Sequence, residues 1–133
     1  MSAVGEAVVG AREARESDVD VTITRLGAPL LRARDACTFC RRLRGLHAMP
    51  PLGPTDALVI RPCRAVQTYR MPHAIDLVFL DGEGRVLRTE TVDPGRVRVC
   101  PGARVAIEMA SGTAARLGLA PGHVLRSSAG RWA

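Results

Sequence analysis

The residues able to do chemistry are few and scattered. Four cysteines stand at Cys37, Cys40, Cys63 and Cys100. Cys37-Thr38-Phe39-Cys40 has the C-x-x-C spacing of a metal or redox pair. A structural metal site needs two more ligands at matching spacing, and no second C-x-x-C follows. Cys40 also falls on the apolar stripe of a short helical pattern, where free cysteine is commonly core filling. No metal site and no cofactor is therefore expected. Cys63 and Cys100 follow or end separate strand patterns and read as structural thiols. A disulfide between them would need an oxidising compartment.

His47, His73 and His123 are dispersed, and none has a carboxylate or cysteine at catalytic spacing. There is no glycine-rich phosphate loop and no nucleophile elbow. Ser111-Gly112-Thr113 opens a helical pattern; capping explains it more simply than anion binding. One carboxylate differs in kind. Asp76 interrupts the apolar run Ile75-Asp76-Leu77-Val78-Phe79-Leu80. A carboxylate in an apolar layer must be hydrogen-bonded, paired or protonated. It is either a structural anchor for backbone N–H groups or an arginine, or a polar group aimed into a cleft.

The elements that position these residues follow from periodicity. Residues 75–80 have strand length and content. Alternation puts Ile75, Leu77 and Phe79 on one face and Asp76, Val78 and Leu80 on the other, with both faces apolar enough for burial. Asp81-Gly82-Glu83-Gly84 reads as a hairpin turn whose two glycines supply positive φ, with Asp81 a turn residue. Residues 85–90 return as an edge strand. Upstream, 66–71 alternates as a strand, with Gln67, Tyr69 and Met71 facing one way and Val66, Thr68 and Arg70 the other. Pro72 breaks it. Residues 19–25 and 30–34 form a first hairpin. Asp35 is read as the cap of a helix with Ala36, Phe39, Cys40 and Leu43 on its stripe, ended by Gly45. Residues 57–60 are a strand, 92–99 are extended and irregular, and 103–109 are a strand with Glu108 opposite Val105, Ile107 and Met109. A second helix at 112–117 is capped by Ser111, and 123–126 is a last strand.

This pattern gives a mainly β fold, a single compact β-barrel or β-sandwich domain with two short helices. The domain spans 19–127, between a tail at 1–18 and another at 128–133. A chain of 133 residues buries about two-thirds of its unfolded surface, enough for one core. No run approaches the roughly twenty apolar residues of a membrane span. Glu6 interrupts the apolar start and no basic region precedes it, so the expectation is a soluble, cytoplasmic protein without a signal peptide.

The formal charge is +6, and all 19 basic residues are arginine. A basic surface permits nucleic-acid binding. Single-strand binders interleave such charge with stacking aromatics, whereas this chain has only Phe39, Tyr69, Phe79 and Trp132. That scarcity argues against nucleic acid.

The ordered motifs are Arg42-Leu43-Arg44-Gly45-Leu46, Pro62-Cys63, Thr68, Met71, Ile75 to Asp81, Pro94, Cys100, Glu108 to Leu119 and Gly122. In this order they resemble the bacterial and archaeal family called domain of unknown function 192, over roughly Val21 to Leu125. The resemblance implies a compact, mainly β barrel or sandwich with short helices and no established reaction. Some members are exported, and some are encoded beside pilus or secretion genes. Carried over by position, the family's polar and sulfur residues are Cys63, Thr68, Met71, Asp76 and Asp81. The chain departs from it at Gln67, where many relatives have histidine, at Gly95, where many have tryptophan, and at His73, where a compact residue is commoner. A catalytic His-Thr pair, if relatives use one, is missing here.

The first functional expectation is therefore a non-enzymatic binding or accessory module. Its candidate cleft is lined by Gln67, Thr68, Tyr69, Met71 and Asp76 and takes a peptide segment, a protein partner or a small ligand. The alternative is a hydrolase-like or metal-dependent site using Asp76 with Asp81, Glu108 or His73 within reach. A basic nucleic-acid-binding domain is third. No catalytic residue is assigned.

Overall fold

A computed structural model describes residues 19–36, 52–69 and 71–132. The elements are β1 (Val19–Arg25), β2 (Ala28–Ala36), β3 (Asp56–Ile60), β4 (Ala65–Gln67), β5 (Ile75–Leu80), β6 (Val86–Val92), β7 (Val97–Val99), β8 (Val105–Ala110), helix α1 (Thr113–Arg116) and β9 (Arg126–Ser127). Seven strands form one sheet in the order β6-β5-β8-β3-β2-β1-β9, and β4 and β7 form a separate two-stranded ribbon.

The fold is mainly β, but the large sheet is open rather than a closed barrel. At one end its two edges are tied together. Val124 bridges Arg85 at the start of β6, and the same segment continues as β9 against β1. All pairings in the large sheet are antiparallel except β2 with β3. Among the described residues there is one short helix, not two. The helix expected after Asp35 lies outside them, and Asp35 itself sits within β2.

Alternation decides which side chains meet. Every residue of β5 is buried, because β5 lies between β6 and β8 and the sheet is covered on both faces. One face collects Ile23, Ala57, Val59, Val78, Leu80, Ile107 and Met109 with Ala114, Leu119, Leu125 and Trp132. The opposite face collects Leu58, Ile60, Ile75, Leu77, Phe79 and Ala106 with Cys63, Val66, Met71 and Cys100 from the ribbon and its loops. The ribbon therefore covers one face, and α1 with the C-terminal segment covers the other.

Several expected boundaries shift. The strand expected at 66–71 is only three residues long, and it pairs with β7, inside the stretch expected to be irregular. The last strand starts at Arg126 rather than 123. In the β5–β6 turn only Gly84 takes positive φ, at 91°. Asp81 shapes that turn, as Oδ1 accepts from the N–H groups of Glu83 and Arg85, both at 2.9 Å. The residues expected as a tail after 127 pack back on the domain. Trp132 is only 4% exposed, and its indole N–H donates to the Leu125 carbonyl at 2.8 Å.

Candidate functional site

Asp76 is 2% exposed and faces the side of the sheet that carries Val78 and Leu80. Its Oδ1 accepts from the Thr91 hydroxyl at 2.6 Å, across the β5–β6 pair. Its Oδ2 accepts from the backbone N–H groups of Gly112 at 3.0 Å and Ala114 at 2.9 Å. Those amides belong to the first turn of α1, whose donors lack intrahelical partners. Ser111 was the expected cap. The actual residue at the cap position is Gly112, which is left-handed and makes no side-chain cap bond. A carboxylate from another strand does the capping instead. Asp81, Glu108 and His73 make no hydrogen bond to Asp76 among the described residues.

The other cleft residues lie on the far side of the sheet. Met71 is buried with Leu77 and Phe79. Thr68 is buried, and its hydroxyl donates to the Asp93 carbonyl at 2.7 Å and accepts from the Arg96 N–H at 2.9 Å. These bonds fix the turn between β6 and β7. Gln67 is half-buried, and its Oε1 accepts from the Tyr69 N–H at 2.8 Å. The geometry brings Gln67, Thr68, Tyr69 and Met71 together at the ribbon and leaves Asp76 across the sheet from them.

Cys63 and Cys100 are buried thiols in one core cluster, not joined in a disulfide. The Cys63 thiol donates to the Ala65 carbonyl at 3.2 Å. Burial pushes the Cys100 thiol up from its ordinary value; nearby Arg88 opposes this and Glu90 adds to it. Cys37, Cys40 and His47 lie outside the described residues. Among the described residues no three His, Cys, Asp or Glu side chains are grouped to hold a metal ion, and no helix is long and apolar enough to cross a membrane.

Two features are read incompletely from the sequence, where Glu108 is named for chemistry only as a possible neighbour of Asp76. The first is Glu108, in the middle of β8 between Leu58 of β3 and Leu77 of β5. It is 4% exposed, its Oε1 has no hydrogen-bond partner among the described residues, and burial pushes its carboxyl up to about 7. The second is the outer face of the ribbon. Register pairs Ala65 with Val99 and Gln67 with Val97, so these four share a face, and Tyr69 follows in the turn after β4. Tyr69, Val97 and Val99 are 54%, 49% and 53% exposed. Among the described residues the only other exposed large apolar side chain is Leu26, at the β1–β2 turn. The alternation Val97-Arg98-Val99 was the available signal.

Two open depressions, of about 530 and 480 Å³, lie along the β1–β2 hairpin and beside Arg131 and Trp132. Neither is lined by Gln67, Thr68, Tyr69, Met71 or Asp76.

A Novosphingobium aromaticivorans protein of unknown function has a similar structure, with a TM-score of 0.70 and 23% identity over 93% of this chain and 94% of that one. A Sinorhizobium meliloti protein called "putative transcription regulator" is also similar, with a TM-score of 0.71 and 17% identity over 93% of this chain and 98% of that one. At these identities the likeness shows the fold alone. No curated protein matches the sequence. The profile of domain of unknown function 192 (DUF192), described as Uncharacterized ACR, matches residues 21–127, and the chain belongs to that family.

Proposed function

We propose that this domain is a non-enzymatic binding module whose contact surface is the outer face of the β4–β7 ribbon, with Gln67 and Tyr69 at its centre. The supporting observation is the exposure of Val97 and Val99 on one face of β7, with Tyr69 in the turn after β4, each about half exposed. Single exposed apolar residues are ordinary, but a contiguous group on one small element marks an interaction site. The ribbon is also held in place from beneath. Val66 is buried under it, Thr68 latches its turn, and Arg98 donates to Glu90 of β6 at 2.9 Å. A preorganised surface loses little entropy on binding. Asp76, the residue on which the hydrolase-like alternative centres, is occupied by three hydrogen bonds and enclosed.

The test is a selection of displayed random peptides on the parent domain, followed by binding of the enriched peptides to a Val97→Thr/Val99→Thr variant. These substitutions keep side-chain shape and remove apolar surface, so melting should be nearly unchanged. Enriched peptides should lose most of their affinity for the variant. Peptides that bind parent and variant equally would show that the contact surface is elsewhere.

A further inference from the structure

We infer that the partner of this surface is an extended peptide segment, alternating apolar and acidic residues, that adds as a third strand along β4. The inference rests on the ribbon being the contact surface and names what occupies it.

The two edges of the ribbon differ. On the β7 side, the carbonyl of Val97 accepts from the Arg98 guanidinium at 3.0 Å, and that of Val99 from Arg88 at 2.5 Å. Guanidinium groups thus cover that edge. On the β4 side the Ala65 carbonyl accepts from the Cys63 thiol at 3.2 Å, but the amides are open. Cys100 N–H donates to Arg64 and Thr68 N–H to Arg96, so by the alternation of an antiparallel ladder the amides of Ala65 and Gln67 point away from β7. Among the described residues these two N–H groups have no hydrogen-bond partner. An edge strand with unpaired amides is a template for strand addition, with side-chain contacts giving specificity.

Charge selects the occupant. Neither β4 nor β7 contains a carboxylate. Exposed Arg64 and Arg96 stand at opposite ends of the ribbon, immediately before the pairs Ala65–Val99 and Gln67–Val97. The carboxylates nearby are Asp93, in the turn beside Arg96, and Glu90, which already receives Arg88 at 3.4 Å and Arg98 at 2.9 Å. Cations therefore outnumber anions around an apolar centre. In an added strand, one set of alternate side chains adjoins Ala65 and Gln67, with Val97 and Val99 one strand further on the same face, and the other lies on the side of Arg64. Apolar residues suit the first set and carboxylates the second. Nucleic acid suits the surface less, because two of the three exposed apolar residues are valines, which offer no stacking plane.

A short fluorescein-labelled peptide alternating valine and glutamate, titrated by anisotropy, is the direct probe. The comparators are the same peptide with lysine for glutamate, one with proline at a central position, and a labelled thymidine oligonucleotide. The glutamate peptide should bind, the lysine peptide should bind about tenfold more weakly or worse, and the proline peptide should fail. Arg64→Glu should reverse the preference between glutamate and lysine. Equal binding of both peptides, tighter binding of the oligonucleotide, or no binding of the glutamate peptide would overturn the inference. Loss of all binding in Val97→Thr/Val99→Thr separates the two levels. If charge makes no difference but this variant abolishes binding, the surface stands and only the acidic partner is wrong. If binding is indifferent to this variant, both are wrong.

Discussion

The Asp76 carboxylate and the Ala114 amide are 38 residues apart in sequence and 2.9 Å apart in space. That bond, with its companion to Gly112, joins the middle of the sheet to a helix of only four residues. So short a helix has little stability of its own. It exists because Ala114 packs on the sheet and because a strand carboxylate takes its open donors.

Asp76→Asn should therefore destabilise the domain by roughly 1–3 kcal/mol, since the amide cannot accept from all three donors with equal strength. Thr91→Val, which removes one of the three, should cost less. Thermal melting at neutral pH measures both. A melting temperature for Asp76→Asn at or above that of the parent would remove the structural role and reopen Asp76 as a binding group.

Glu108 should behave in the opposite way. Its carboxyl is pushed up to about 7 by burial, so the folded state holds the proton more tightly than the unfolded chain does. The stabilisation is full below the unfolded value near 4.5 and is lost as pH rises through about 7. The loss is on the order of 3 kcal/mol. Glu108→Gln should abolish this slope and raise the melting temperature at pH 8 by several degrees. Denaturant melts of parent and variant across pH 5 to 8 give both slopes, and parallel curves would contradict the assignment.

Arg61 ties three segments together. It donates two bonds to Asp35, at 3.2 and 2.7 Å, and its remaining terminal nitrogen donates to the carbonyls of Arg131 and Trp132. Asp35 is buried, so removing Arg61 takes a two-bond cationic partner from an enclosed charge. Arg61→Met should cost about 3 kcal/mol or more and loosen the C-terminal segment. Trp132 is the only tryptophan, so a red shift of its emission reports that release directly. Adding Asp35→Asn should recover part of the stability but not the emission.

Gly84 should tolerate no side chain. A β-carbon there would lie 2.3 Å from the Leu125 carbonyl oxygen and 2.6 Å from the Trp132 indole nitrogen, and φ is 91°. Gly84→Ala should destabilise by about 2 kcal/mol or more and shift Trp132 emission, whereas Gly82→Ala in the same turn should do much less. Equal effects would mean the close approach is unimportant.

Much of the sheet was legible because its signals are local. Alternation within 75–80 and 105–109 assigned side chains to the two faces correctly, whereas Ala103, expected on the face of Val105, precedes β8 and packs in the opposite cluster; Asp81 announced its turn. What could not be read is what depends on partners distant in sequence. Asp76 showed itself as a buried carboxylate, but its ligands are amides of a helix whose own sequence pointed to Ser111 as the cap. Three-residue strands such as β4 and β7 carry too little periodicity to reveal that they pair. Trp132, in a stretch of small and polar residues, gave no periodic signal of burial. The cleft drawn from Gln67 to Asp76 failed to assemble for a related reason, since the ribbon covers the Leu77–Phe79 face of β5 and Asp76 points to the other face.

The strand order has a consequence for synthesis. The local hairpins, β1 with β2 and β5 with β6, can form as soon as they leave the ribosome. β8, however, lies between β3 and β5, so these two apolar strands emerge first and wait with unpaired edges until residue 110 is translated. A pause in translation before that point would leave a half-made sheet with its most buried strands open to neighbouring nascent chains. The chain is thus most vulnerable to aggregation at birth, in an interval set by elongation rate rather than by the stability of the finished fold.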